Sequence, residues 1–227
     1  MKDAKLINWE ELPSELIYSI LLRLSVSDRL ENAWNVCRTW RRFCQDPLMW
    51  RKIEKLNIGQ ATDVGEAMCR RAVDLSQGGL LEINIAYIGS DSLLAYIVDR
   101  SNNLKHLVLT ECFRVTGCGL FKAVTKLTLL EHLELSRFPY MELDLEGIGL
   151  SCPLLKTLKL KDVGYYFKVN ECDDDAFAIA KTMPGLIHLQ LVGNSLTNAG
   201  LNAIVENCPH LKYLDLQNCI YINLAHQ

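Results

Sequence analysis

The sequence has nine cysteines among 227 residues but no C-x-x-C pair. This spacing excludes a zinc ribbon and a thioredoxin-type motif, so we expect reduced thiols that behave as small buried apolar side chains. The most apolar run, residues 16–24, is broken by Tyr18, Ser19 and Arg23 and is too short to span a bilayer. The first residues lack the apolar core of a signal peptide. We therefore expect a cytoplasmic and/or nuclear protein that does not contact membranes.

The chain also lacks an excess of positive charge, because 24 Lys and Arg against 27 Asp and Glu give a net charge of −3. No general basic field is present to attract nucleic acid, so we expect no nucleic-acid partner. A local cluster at Arg38, Arg41 and Arg42 is the exception, and it lies in a stretch that also contains Trp34 and Trp40. That stretch by itself is compatible with a redox site, a nucleic-acid patch or a protein-binding surface.

The last two thirds of the chain repeat one pattern, L-x-x-L-x-L. Its six copies start at positions 80, 104, 130, 155, 186 and 211, so the spacings are 24, 26, 25, 31 and 25 residues. Four of these spacings fall in the range of about 20–29 residues that is typical of leucine-rich repeats. Each copy predicts a short strand, and the apolar residues that follow predict a helix, so that neighbouring units stack. In the fifth unit Leu201, Ile204, Val205 and Cys208 are predicted to point inward.

Cysteine accompanies several of these copies. Cys-Pro precedes the strand in "SCPLLKTLKL" and "NCPHLKYLDL", and "VTGCGL" and "LTNAGL" follow a strand. These segments resemble the cysteine-containing class of leucine-rich repeat. The resemblance implies that Cys112, Cys152, Cys208 and Cys219 are structural side chains that fill turns and are not reactive thiols.

The first fifty residues predict a compact unit of three helices. Apolar residues at 12, 16, 17, 20, 21 and 24 form one face of a helix with Pro13 in its first turn. Ser27 is predicted to cap a second helix, with Asp28 near its positive end. Asp46-Pro47 should end the helical region, because the residue before proline avoids the α conformation.

The order of landmarks in this unit resembles the F-box. They are Leu12-Pro13-x-Glu15-Leu16, Ile20-Leu21-x-x-Leu24, Val36-Cys37-x-x-Trp40-Arg41 and Asp46-Pro47-x-x-Trp50. The resemblance, to plant-type F-box/leucine-rich-repeat proteins, implies a unit that docks on the Skp-type adaptor of a Skp–cullin–F-box ubiquitin ligase. Through the adaptor the protein would meet the cullin and the RING subunit. The adaptor-binding residues that the resemblance implies are Leu12, Pro13, Leu16, Ile20, Leu21, Leu24, Val36, Cys37, Trp40 and Trp50.

The predicted architecture is therefore α/β, with a three-helix F-box followed by a solenoid of about six repeats. Short parallel strands would line the concave face and helices the convex face. The predicted domains are an F-box at residues 1–56, a linker or irregular first repeat at 57–79, and the repeats at 80–227. From the helical pattern alone, the first unit could equally be a cap on the end of the stack. The sequence leaves open how the tryptophans divide between an adaptor interface and the first repeat.

Outward strand positions predict where a protein substrate would bind. The columns of side chains are polar and of both signs, and three histidines share one column, with His106 and His132 about 5 Å apart on adjacent strands. A third ligand is missing beside this pair, so we expect a contact surface and no metal site. The predicted substrate-binding residues on the strands are His106, His132, Glu134, Lys159, Lys161, His188, Gln190, Tyr213 and Asp215.

The spacing of 31 marks an insertion near residues 162–175. Tyr165 and Tyr166 in it would either contact a partner or fold back on the core. No cysteine has a histidine and an acid at a recognised catalytic spacing, which argues against a cysteine enzyme. The resemblance to F-box proteins implies a subunit without catalytic residues, and we expect no cofactor. Two functions fit: the substrate receptor of a ubiquitin ligase, whose mechanism is positional, or a Skp-binding or repeat-based scaffold without ligase activity. The identity of the substrate is not encoded in any pattern that we can read.

Overall fold

A computed structural model describes residues 12–56, 62–138, 142–164 and 170–223. The helices are α1 (Ser14–Arg23), α2 (Val26–Glu31), α3 (Arg38–Cys44), α4 (Thr62–Leu75), α5 (Asp91–Arg100), α6 (Gly117–Val124), α7 (Leu145–Ser151), α8 (Asp174–Thr182) and α9 (Asn198–Asn207). The strands are β1 (Lys52–Leu56), β2 (Glu82–Ala86), β3 (His106–Thr110), β4 (His132–Phe138), β5 (Thr157–Val163), β6 (His188–Val192) and β7 (Tyr213–Asp215). Short 3₁₀ turns lie at Ala33–Asn35 and Pro47–Trp50. None of the helices within these ranges is long and apolar enough to cross a bilayer.

The second and third N-terminal helices begin at side-chain caps, whereas α1 begins after Pro13 without one. The side chain of Ser25, not that of Ser27, accepts a hydrogen bond from the amide of Asp28, so the predicted cap of α2 was wrong by two residues. The thiol of Cys37 caps α3 by accepting from the amide of Trp40. As predicted, α-helix stops before Asp46-Pro47, where the Asp46 carboxylate caps the following 3₁₀ turn.

The strands form one parallel sheet whose order follows the chain from β1 to β7. Within the described ranges the sheet has one strand more than the six predicted, because β1 pairs with β2. The register pairs Lys52 with Glu82, which places Trp50 level with Leu80, the first leucine of its repeat. An irregularity between Ile53 and Leu56 adds one residue there and hides the leucine pattern. Trp50 is thus also the first core residue of the stack.

Apolar side chains from strands and helices make one core that runs from α1 to the last repeat. Val205, predicted to point inward, is 58% exposed, because no described element packs on that side of α9. Cys112, Cys152, Cys208 and Cys219 are buried as predicted. Each of these thiols donates to a backbone carbonyl of the preceding repeat, and the acceptors are Ile85, Val124, Met183 and Leu191. Burial raises the pKa of Cys112 and Cys152 to about 11, which keeps both thiols protonated and unreactive.

Two pairs of adjacent repeats are joined by the same polar contact. The Asp91 carboxylate accepts from the amide of Thr116 at 2.8 Å and from its hydroxyl at 2.8 Å. The Thr116 hydroxyl oxygen in turn accepts from the amide of Gly119 and caps α6. A Cβ on Gly119 would collide with the Asp91 carboxylate, so glycine is required there. Asp173, Thr197 and Gly200 repeat this arrangement between α8 and α9.

The chain leaves most strands through a residue in the left-handed region. These residues are Tyr87, Glu111, Arg137, Asp162, Gly193 and Asn218, with φ between 52° and 71°. Five of the six are not glycine, although left-handed backbone is unfavourable for side chains with a Cβ. The same sharp turn therefore recurs in each unit and displays a different side chain in each.

Candidate protein-interaction surfaces

The first surface is formed by the N-terminal helices. Leu16 and Ile20 lie one turn apart on one side of α1, and Leu12 precedes the helix, whereas Ile17 and Leu21 face the core. Leu12 and Ile20 are partly buried at the edge of the core, and Leu16 lies between them. Leu16 is 52% exposed and Val36 is 50% exposed. We call Leu12, Leu16, Ile20 and Val36 the helical surface. Apolar side chains that remain accessible at such a density indicate a protein interface.

Not every residue predicted for adaptor binding reaches this surface. Leu21 and Trp50 are fully buried, and Trp40 is almost fully buried. Leu24 and Cys37 are partly buried against the core, and Pro13 is exposed. The three buried side chains hold the helices in place, so in this conformation they support a docking surface without touching a partner.

The tryptophans also connect the helices to the first repeat. The indole N–H of Trp50 donates to the carbonyl of Cys44 at 2.8 Å, and the buried Arg29 guanidinium lies 4.9 Å from the ring centre. Arg29 further donates to the carbonyl of Met49, and burial lowers the pKa of its guanidinium. On the other side of the junction, Arg71 of α4 stacks on Trp34 at 4.8 Å. The Arg71–Trp34 contact links the helical unit to α4, and Trp50 links it to the first strand of the stack.

The second surface is the concave face of the sheet, where the register aligns His106 with His132. Their rings are stacked, with centroids 5.4 Å apart and planes at 24°. This agrees with the spacing predicted from the sequence. A depression of about 450 Å³ adjoins the pair and is lined in part by Lys52, Asn84 and Val108.

Glu134 lies at the centre of the concave face and is surrounded by cationic or protonatable groups. Its carboxylate is 3.6 Å from His132 Nε2, 3.4 Å from Lys159 Nζ and 3.4 Å from Lys161 Nζ. The hydrogen bond from His132, together with the two lysines, lowers the pKa of Glu134 to about 2. The carboxylate is therefore charged at neutral pH and is held by its neighbours.

A second carboxylate is held in the same way at the start of the strands. Glu131, the residue before β4, accepts from Lys105 Nζ at 2.8 Å and from Lys156 Nζ at 2.7 Å. Lys105 and Lys156 precede β3 and β5, so the three side chains follow the order of the strands. The two lysines lower the pKa of Glu131 to about 2. Sequence reasoning missed this cluster because it counted only the positions inside the strands.

The remaining predicted substrate-binding residues lie at the C-terminal part of the face. His188 and Tyr213 are exposed neighbours whose rings are 6.1 Å apart. The side-chain amide of Gln190 donates to the Asp215 carboxylate. Tyr165 and Tyr166 lie outside the described residues.

A third surface, not predicted, is a groove of about 750 Å³ at the ends of the strands. We call it the strand-end groove; its lining includes Glu111, Phe113, Arg137, Asp162, Asn194, Asn218 and Ile220. Phe113 is 67% exposed and Ile220 is 79% exposed, and Arg137 pairs with Glu111. In the sequence these residues lie just after the strand patterns, outside the columns of outward strand positions from which binding residues were predicted.

In the part of the chain that the structure describes, no group of three or more His, Cys, Asp or Glu side chains is placed to hold a metal ion.

Comparisons with known proteins bear on both the helices and the repeats. A model of the F-box-like family matches residues 9–55. The chain is 54% identical over 229 residues to the putative F-box/LRR-repeat protein 23 of Arabidopsis thaliana, covering 99% of this chain and 51% of that protein, so it spans about half of that relative's length. It is 52% identical over 232 residues to the putative F-box/LRR-repeat protein 9 of the same plant, covering 99% of this chain and 93% of that protein.

Among solved structures, the chain is similar to the crystal structure of the Rad7 and Elc1 complex in yeast. The TM-score is 0.47 at 16% identity, over 68% of this chain and 54% of that chain, a likeness too low to support an argument. The identity to the plant proteins is sufficient without it. The protein belongs to the F-box/LRR-repeat family.

Proposed function

We propose that the protein is the substrate-recognition subunit of a Skp–cullin–F-box ubiquitin ligase. The single observation that carries this proposal is the family membership of a chain whose F-box exposes the helical surface. In this role the F-box binds a Skp-type adaptor, and through it the cullin and the RING subunit. The repeats bind a protein substrate.

The chemistry of such a subunit is positional. Holding a substrate lysine near the activated ubiquitin raises the effective concentration of the two groups. The protein itself supplies no catalytic residue in this proposal. We further propose a cytoplasmic and/or nuclear location and the domain division at residues 1–56, 57–79 and 80–227.

Capture of a purified Skp-type adaptor tests the docking step. Leu16→Glu combined with Val36→Glu places two charges on the helical surface, and we expect capture to fall at least about a hundredfold, because each charge would be buried in an apolar interface. Both side chains are half exposed, so the fold should be retained. Circular dichroism and the unfolding midpoint check the fold.

The matched control is Leu150→Glu combined with Phe177→Glu. These side chains are also apolar and exposed, but they lie on α7 and α8 of the repeats. The control should capture the adaptor as well as the wild type does. Equal capture by the helical-surface variant would contradict the docking proposal.

Co-purification then separates a ligase subunit from a scaffold. A ligase subunit is expected to bring down the cullin together with the adaptor, and to transfer ubiquitin to a bound protein in a reconstituted reaction. Adaptor capture without cullin would favour the scaffold function.

A further inference from the structure

The charges of the concave face are distributed unevenly. Four lysines, Lys105, Lys156, Lys159 and Lys161, surround the two glutamates Glu131 and Glu134 on and beside β3, β4 and β5. Four positive charges against two negative ones leave a net charge of +2. The whole chain carries −3, so this region, which we call the central lysine patch, has the opposite sign to the rest of the molecule.

The borders of the patch are acidic or neutral. Towards β1, Lys52 pairs with both Glu54 and Glu82, which leaves one negative charge. Towards β7, Asp215 receives hydrogen bonds from two neutral groups, the side-chain amide of Gln190 and the backbone N–H of Gln217. A cationic centre between acidic borders favours a ligand whose negative charge is concentrated in one short segment.

The strand-end side of β3–β5 has the same acidic character. Arg137 is paired with Glu111, and Asp162 lies near the end of β5, where it lines the strand-end groove. The positive region is therefore confined to the start and the middle of these strands. Beside it lie the stacked histidines and the depression that they line.

We propose that the central lysine patch binds an acidic segment of the protein substrate. This inference rests on the proposed function and names the substrate chemistry. Carboxylates of the segment pair with the lysine ammonium groups, which already hold the protein's own Glu131 and Glu134 in the same geometry. Each internal glutamate competes with the ligand for two lysines.

Two further properties of the patch suit this partner. The lysine side chains are partly exposed, so their ammonium groups can turn towards a ligand without disturbing the core. Thr157 lies beside His132 in the register, and Ser136 lies beside Lys161, so small side chains separate the charged ones. An extended segment of about ten residues is long enough to cross the central strands and reach both borders.

A defined probe tests the proposal: a fluorescent peptide of about ten residues in which Glu and Ser alternate. The same peptide with Gln in place of Glu is the neutral probe. We expect saturable binding of the acidic peptide only, and a loss of at least about tenfold in affinity in Lys159→Glu/Lys161→Glu. The charge-matched control is Lys126→Glu/Lys181→Glu, because these lysines pair with Asp99 and Glu146 on the helices. It should bind as the wild type does.

A second variant acts in the opposite direction and does not depend on the first one folding. Glu134→Gln removes an internal competitor for Lys159 and Lys161, so the acidic peptide should bind roughly threefold more tightly. Glu206→Gln, an exposed change of the same charge on α9, should leave the affinity unchanged. No saturable binding to the wild type, or equal binding to Lys159→Glu/Lys161→Glu, would overturn the proposal.

Three outcomes separate this proposal from its competitors. Loss of peptide binding only in variants of Phe113 and Ile220 would assign the acidic ligand to the strand-end groove and overturn the patch. Equal loss in the helix control would show a general charge effect and would also overturn it. Adaptor capture is measured on the same samples: failure of wild-type capture rejects the proposed function, whereas normal capture without peptide binding rejects only the patch.

Discussion

The F-box and the repeats present opposite kinds of surface. The F-box exposes apolar side chains, with Leu16 and Val36 half accessible, and buries Trp40 and Trp50. The concave face exposes lysines, histidines and carboxylates, while its leucines are buried. Apolar contacts suit a constant partner and are insensitive to salt, whereas charged contacts are selective and are screened by salt. In the proposed function, one chain would therefore hold two partners by two separate physical mechanisms.

The largest effect of a substitution is expected at the junction between the F-box and the repeats, because both regions share one core there. Trp50→Ala should lower the free energy of unfolding by about 3–5 kcal/mol, since it leaves a large cavity and removes the ring beside Arg29. Urea denaturation measures the loss. Trp34→Ala, at a partly buried position, should cost only about 1 kcal/mol. Similar values for the two variants would contradict the central place of Trp50.

A smaller change should affect the repeats and spare the F-box. Gly119→Ala forces the Asp91 carboxylate away from Thr116, and we expect a loss of about 1–3 kcal/mol in the free energy of unfolding with unchanged adaptor capture. Gly185→Ala is the control, because an added Cβ there makes only an ordinary van der Waals contact, 3.9 Å from the Leu155 carbonyl oxygen, and its effect should stay within about 0.5 kcal/mol. Thermal unfolding compares the two. A harmless Gly119→Ala would show that the contact between repeats is dispensable.

The salt dependence of binding should distinguish the concave face from the helical surface directly. Between about 0.05 M and about 0.5 M NaCl, affinity for the acidic peptide should fall about tenfold, since added ions screen the lysines. Adaptor capture through the helical surface should change by less than about twofold, because apolar burial carries no charge. Fluorescence anisotropy follows both on the same protein. Parallel salt curves would mean that the two surfaces do not differ in mechanism.

The smallest effect concerns Glu134, whose pKa is lowered to about 2 by His132 and the lysines. A carboxylate with a lowered pKa stabilises the folded state above its unfolded pKa, near 4.5, and this stability is lost as the pH falls through about 2. Glu134→Gln should therefore cost on the order of 1 kcal/mol at neutral pH, reduced by solvent screening. The difference from the wild type should disappear towards pH 2. Urea denaturation at several pH values measures it, and a difference that grows in acid would contradict the assignment.

The sequence predicted those features that depend on periodicity. The leucine pattern located β2 to β7 and paired His106 with His132, because a constant repeat length fixes which residues become neighbours. It missed β1, since Trp50 replaces the first leucine and an irregularity follows Ile53. The leucine pattern cannot locate a strand in which another residue replaces the first leucine or an extra residue shifts the spacing.

Other features depend on three-dimensional contacts that spacing does not specify. Ser25 and Ser27 are both suitable helix caps, and the sequence does not decide between them; in the structure Ser25 accepts from the amide of Asp28. Leu21 and Trp50 are fully buried, whereas the family motif lists them beside exposed residues. The domain boundaries and the two sets of binding residues remain predictions, to be decided by the binding experiments.

The left-handed residues at the strand ends have a consequence for how this protein can change. Glycine would relieve the backbone at Tyr87, Glu111, Arg137, Asp162 or Asn218 by about 1 kcal/mol each, partly offset by the freedom that glycine adds to the unfolded chain. The protein instead keeps side chains there, which differ in charge and size while the backbone stays the same. Along this edge, specificity can be rewritten one repeat at a time without rebuilding the scaffold. Each non-glycine residue at these turns lowers the stability of the fold slightly, and in return the side chain at that position can vary.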